Sequence, residues 1–265
     1  MREAVASGTC IPFGPDITAG QGIRLSPADN WESVCARLPV GWQPDVVAFE
    51  LAYQTTPLWL GAVPVPVVGL AADAPLQFHW ARRALRRSEL VLADLPTVER
   101  LHQEGITHAR AANLFGLGHD FLDRPLPDLN APREIDILFI GNWHPAVQRQ
   151  RLAWLGRLAA LGHRWRVVIQ TGVFGDAYRE LLGRARIVFN RSIRGECNQR
   201  ALEAAACGAL LFQEAGNREV ESLLRLGRDY VAYEDGTLEA QLEHYLRRED
   251  ERRAIAKGGQ ARAGE

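Results

Sequence analysis

Short uninterrupted apolar runs alternate along this chain with longer stretches in which apolar residues recur at helical spacing. In the first half the runs are Val46-Val47-Ala48-Phe49, Val65-Pro66-Val67-Val68-Gly69-Leu70, residues 89–93 and residues 109–114. In the second half they are residues 135–141, 166–169, 187–190, 209–212 and 230–233. Apolar on both faces and short, they predict strands of parallel sheets covered on both sides. Between them, residues 57–60, 76–87, 96–104, 148–161, 178–183, 219–226 and 238–246 read as helices, as does the stretch opening at Asn198. Leu152, Leu155, Leu158 and Ala159 share one side of the 148–161 helix, and Gly105 is placed to end the 96–104 helix. The first forty residues show little periodicity, with 31–38 the best helix among them. Strands alternating with helices predict an α/β fold with parallel sheets and right-handed crossovers. A stretch carrying Pro125, Pro127 and Pro132 separates the halves, giving expected domains 1–130 and 131–265 with a ligand cleft between them.

Composition adds mainly exclusions. The 265 residues, 47% hydrophobic and 24% charged, describe an ordinary soluble protein with room for two domains of about 100–150 residues. A formal net charge of −1 offers no field to gather nucleic acid, and no nucleic-acid partner is expected. No apolar run approaches about 18 residues, so no transmembrane segment is expected, and the N-terminus lacks the apolar core of a signal peptide. Cys10, Cys35, Cys197 and Cys207 have neither metal-site nor disulfide-scaffold spacing. They read as reduced thiols of a cytoplasmic protein without a metal site.

The candidate chemistry concentrates between Asn198 and Gly208, N-Q-R-A-L-E-A-A-A-C-G. A helix opening there, after an apolar strand and a polar loop, points free backbone N–H groups and a positive dipole end at an anion. Glu203, further along, can accept hydrogen bonds from two vicinal hydroxyls. Glu196 lies on nearly the same face if the helix reaches back that far; otherwise it caps the helix. A diphosphate at the tip and a ribose beside the helix describe a nucleotide-sugar site.

The ordered set of N-x-R-x-x-E at Asn198, Arg200 and Glu203, A-C-G-A-L-L at 206–211, Asn217, G-R-D-Y-V-A-Y-E-D at 227–235, I-A-K-G-G at 255–259 and the strand end F-I-G-N resembles the C-terminal domain of GT-B-fold glycosyltransferases. The nearest group is CgeB-like and family 1/4-like, a bacterial set. The resemblance covers roughly residues 135–262, and the first half resembles the family more loosely. It implies two Rossmann-like domains of GT-B type, the N-terminal one compact or incomplete. The C-terminal domain would bind a nucleotide-diphosphate sugar and the N-terminal one an acceptor, whether glycan, protein or small molecule. Neither cofactor nor metal is implied. Carried over, Glu203 binds ribose hydroxyls, and Gly141 and Asn142 approach the diphosphate. Arg149, with Arg151 as second choice, supplies positive charge to the leaving nucleotide. Asn198 and Arg200 contact phosphate or shape the loop, and Asn190 and Glu196 belong to the same donor-side set.

An inverting transferase needs a base, and Asp73 and His79 are the candidates, with Glu50 a third. The competing reading is that Asp73 caps the helix opened by D-A-P and that His79, beside Trp80, packs or lies on the surface. Two departures from the family are a short first domain and an end at Glu265, where a helix crossing back is expected. A compact variant and one domain of a larger protein both fit. Two other functions stay open: a non-catalytic nucleotide-sugar-binding or interaction module, and a sugar-nucleotide epimerase.

Overall fold

A computed structural model describes residues 2–18, 20–51 and 56–265. The chain divides into two compact units, residues 1–93 with 100–110 and residues 94–99 with 111–265.

The first unit opens with helix α1 (Arg2–Ala6) and the paired strands β1 (Phe13–Gly14) and β2 (Ile23–Arg24). Helix α2 (Trp31–Cys35) follows, its Asn30 side chain accepting from the Ser33 N–H at 2.8 Å. Then come β3 (Val47–Glu50), a single 3-10 turn (Leu58–Ala62), β4 (Val67–Ala71), α3 (Ala74–Leu85), β5 (Leu90–Ala93), α4 (Leu95–Gln103) and β6 (Ala109–Ala111). The strands lie in chain order, β3-β4-β5-β6. Val67, Ala71, Val91 and Ala93 on the sheet and Phe78, Ala81 and Leu85 on α3 are buried. The helix expected over 76–87 starts earlier, at Ala74, with Pro75 in its first turn, where a missing N–H costs nothing.

The second unit contains α5 (His119–Leu122), β7 (Ile135–Ile140), α6 (Pro145–Ala160), β8 (Val167–Gln170), α7 (Gly175–Gly183), β9 (Ala185–Phe189), α8 (Gln199–Ala206), β10 (Leu210–Glu214), α9 (Arg218–Leu223), β11 (Val231–Tyr233), α10 (Leu238–Arg247) and α11 (Glu249–Ala263). Its five strands are parallel in the order β11-β10-β9-β7-β8. Leu138, Val188 and Leu211 face a core completed by α7, α8 and α9; Ile137, Phe139, Ile187, Phe189 and Phe212 face another completed by α6, α10 and α11. Burial on both faces is what the continuous apolar runs require.

The Pro-rich segment packs with the second unit. The Gln260 amide donates to the Pro127 carbonyl at 2.9 Å, and Arg133 donates to the Ala185 and Cys207 carbonyls at 2.8 Å each. The sequence pattern does not single out α11, whose 15 residues carry only a thin apolar stripe, Ile255 and Ala256. Its fit depends on Gly258 and Gly259. A Cβ at Gly258 would come within 2.1 Å of the Arg228 carbonyl oxygen, and one at Gly259 within 2.5 Å of that of Asp229.

Candidate functional site

In the second unit the chain runs from β7 outward to β8 and then returns to place β9 on the other side of β7. The loops leaving β7 and β9 therefore diverge to opposite faces, opening a crevice at the carboxyl ends of these strands, where α/β sheets take their ligands. Residues 141–144 and 190–198 form its rims.

Two guanidinium groups tie these rims together. Arg151 reaches back from α6, donating through Nη1 to the Asn142 carbonyl at 2.7 Å and through Nη2 to the Arg191 carbonyl at 2.6 Å. Arg200, in the first turn of α8, donates through Nε to the Ile140 carbonyl at 2.5 Å and through Nη1 to Asn190 Oδ1 at 2.7 Å. Both lie against the Phe139 ring, 5.6 Å and 4.7 Å from its centroid. Arg151 is 5% exposed. Burial first, and then the Arg200 charge, brings its pKa down to about 10; burial also lowers that of Arg200. Among the described residues neither forms an ion pair, and Arg151 Nε and Asn198 Oδ1 are buried without a hydrogen-bond partner. Glu196 and Glu214 act on Arg151, and Tyr178, Glu203 and Glu214 on Arg200, without any of these groups forming an ion pair with them. Cations held partly out of water in this way gain from an anion that joins them.

Glu203 is buried in α8 and accepts from the Tyr178 hydroxyl of α7 at 2.7 Å. Burial pushes its carboxyl above the usual range, while the Tyr178 bond and the Arg200 charge pull it back. Glu196 lies before the helix rather than on it, and its carboxylate folds the loop by accepting from the Ile193 and Arg194 N–H groups at 2.6 and 2.7 Å. Asn198 holds the N-cap position of α8 without a side-chain capping bond. Asn190 is fully buried beneath Arg200. Gly141 leaves room for that arginine: a Cβ there would lie 2.0 Å from Arg200 Nη2. Asn142 is exposed, and its side chain accepts from the His144 N–H at 2.8 Å. Arg149 is exposed on α6, so Arg151, the second choice of the pair, is the one built into the crevice.

Asp73 and His79 belong to the first unit. Asp73 stands just after β4 at the N-cap of α3, where its side chain makes no capping bond. Its φ of 50° makes it the only non-glycine residue with positive φ among those described. That conformation costs on the order of 1 kcal/mol and clusters at functional positions. His79 is exposed on α3, edge-on to Phe78.

Sequence reading passed over Tyr178, Gln213 and Glu214. The last two are a polar pair ending the apolar strand β10, and polar residues at the carboxyl end of a buried parallel strand are the signal that marks them. Among the described residues no group of His, Cys, Asp and Glu is arranged to hold a metal, and no helix is long and apolar enough to cross a membrane.

A parallel α/β unit with this switch-point crevice, preceded by a smaller parallel unit, is the construction of GT-B glycosyltransferases. Solved structures of that fold match the chain. Anabaena Alr3699/HepE in complex with UDP is 15% identical over 75% of this chain and 67% of its own, with a TM-score of 0.51. TarM is 7% identical over 75% of this chain and 47% of its own, with a TM-score of 0.56. An alpha-glucosyltransferase in complex with UDP-glucose and DNA containing an abasic site is 10% identical over 83% of this chain and 76% of its own, with a TM-score of 0.53. The chain thus spans two thirds of HepE and about half of TarM. At these identities the similarity establishes the fold. The family model described as glycosyl transferase-like matches residues 126–264, and the chain belongs to that family of sugar-transferring enzymes. No curated protein sequence matches it.

Proposed function

We propose that the protein transfers a sugar from UDP-sugar to an acceptor, with the diphosphate seated in the crevice between β7 and β9. The observation that carries this reading is the pair of buried Arg151 and partly buried Arg200 at the carboxyl ends of those strands, with no carboxylate at ion-pair distance from either among the described residues. The free N–H groups at the start of α8 add to the same positive field. As the bond from the anomeric carbon to the diphosphate breaks, negative charge grows on the departing oxygen. Guanidinium groups fixed in advance stabilise that charge without reorganising, and no metal is required for it. Glu203 accepts from the ribose hydroxyls. The acceptor oxygen forms the new bond to the anomeric carbon, and its proton passes to Asp73. The backbone of Asp73, held left-handed at the carboxyl end of β4, supports that role. Uracil as the base is supported by solved GT-B structures that hold UDP or UDP-glucose.

A thermal-shift series with UDP, GDP, dTDP, ADP and CMP tests the donor site. A ligand at a hundredfold excess over its Kd adds about 2.7 kcal/mol of stability. UDP is expected to raise Tm, and Arg151→Met with Arg200→Met to abolish the rise. No shift with any of the five would overturn the assignment. Asp73→Asn is expected to remove turnover and leave UDP affinity unchanged.

A further inference from the structure

Beneath the crevice a chain of four side chains runs from α8 past the end of β9 to the end of β10. Arg200 Nη1 donates to Asn190 Oδ1 at 2.7 Å, Asn190 Nδ2 donates to Gln213 Oε1 at 2.7 Å, and Gln213 Nε2 donates to Glu214 Oε2 at 2.6 Å. Asn190 and Gln213 are both 0% exposed. They stand one step beyond the register pair Phe189 and Phe212 on adjacent parallel strands.

The direction of this chain is forced by its ends. A guanidinium only donates and a carboxylate only accepts. Two amides linked in series between them satisfy every bond in one orientation, oxygen toward Arg200 and NH2 toward Glu214. The same Glu214 carboxylate accepts from the Ser192 N–H at 3.1 Å and the Asn217 amide at 3.1 Å, so its position is fixed by the loop that rims the crevice. Tyr233 fixes the other strand by donating its hydroxyl to the Asn190 carbonyl at 2.8 Å.

We infer that Gln213 and Glu214 are positioning residues for the donor diphosphate, acting through Asn190 to aim Arg200. The inference rests on the donor site proposed above. Asn190 has a different part from direct contact with the nucleotide: it presents an acceptor that holds Arg200 beside Gly141 without cancelling its charge. A carboxylate at that place would neutralise the guanidinium, whereas two amides keep the negative charge of Glu214 two links away. Buried bonds in series reinforce one another, so breaking one link frees the whole chain.

The test compares UDP with uridine, which lacks the diphosphate, by calorimetry and NMR titration on the full chain. In Gln213→Leu, Asn190 loses its acceptor and its amide is free to turn its NH2 toward Arg200. UDP affinity is expected to fall about tenfold, as for loss of one charge-assisted bond, while uridine affinity holds. General loosening of the unit would weaken both ligands alike. If Gln213→Leu does not fold, Glu214→Gln is read in the same way, since an amide at that end no longer fixes the direction of the chain. A folded variant whose UDP-to-uridine ratio stays within about twofold of the wild type would overturn the inference and leave the donor site standing. Wild-type protein that binds no nucleoside diphosphate would overturn both.

Discussion

Tyr178 donates its hydroxyl to Glu203 across 2.7 Å, joining α7 to α8 beside the crevice. The bond accounts for a carboxylate that burial alone would drive toward its neutral form. Tyr178→Phe leaves that carboxylate buried with one donor fewer. The expected loss is about 1–3 kcal/mol of stability, read from denaturant midpoints at neutral pH. An unchanged midpoint would mean that the bond is absent in solution.

Gly141 is expected to accept no side chain. Its Cβ position lies 2.0 Å from Arg200 Nη2, and Arg200 cannot retreat while it donates to Ile140 and Asn190. Gly141→Ala should therefore displace the guanidinium and weaken UDP binding about tenfold, for the loss of about 1.4 kcal/mol, with little change in Tm. Normal UDP affinity in this variant would show that the arginine has room to move.

At Gly258 the obstacle is main chain, the Arg228 carbonyl oxygen at 2.1 Å. Here α11 must shift as a whole, and overpacking of this kind costs about 1–3 kcal/mol. Gly258→Ala is expected to lower the melting temperature of the second unit markedly. Gly156, whose Cβ would meet nothing within 4 Å, is the control, and Gly156→Ala should leave stability unchanged or raise it.

Stability should peak on the acidic side of neutrality. Burial holds the carboxyls of Asp94, Glu196 and Glu203 above their ordinary values. For such groups the folded state binds protons more tightly than the unfolded chain. Their contribution is complete below the unfolded pKa and is lost as pH rises through the folded one. Glu134 and Glu239 behave oppositely, since hydrogen bonds from Arg184 and Arg157 hold them low. Their contribution is present above the ordinary carboxylate range and lost as pH falls through their lowered values. The maximum is expected near the ordinary carboxylate range, about pH 4–5. Melting temperatures across roughly pH 3–8, an interval that spans the ordinary carboxylate range, should rise and then fall, with a shallower fall toward neutrality in Glu196→Gln. A profile that rises steadily to neutral pH would contradict this.

How much of the site was legible follows from what each residue answers to. Arg200 and Glu203 stand out in the sequence because they share a helix, and a helix fixes the spacing of its own residues. Arg149 and Arg151 are not separable in that way. They lie two apart, on different sides of α6, and only the docking of α6 decides that Arg151 turns to the crevice while Arg149 turns to solvent. Glu196 reads as a helical partner of Glu203 when periodicity is extended backwards. Its carboxylate satisfies two loop N–H groups instead, a local bond that competes with helix.

The sequence by itself determined the strands and most of the helices, because continuous apolar runs and 3.6-residue spacing are properties of neighbouring positions. It also determined the class of fold, since strand–helix alternation leaves few ways to bury both faces of a sheet. Tertiary structure decided what distant segments do to each other. The order of β8, β7 and β9 opens the crevice, the Pro-rich segment packs with the second unit, and α11 closes on the main chain at Arg228. The line from Arg200 to Glu214 joins a helix, the first residue of the loop after β9, and β10. No local pattern encodes it, because its members become neighbours only when the sheet has formed.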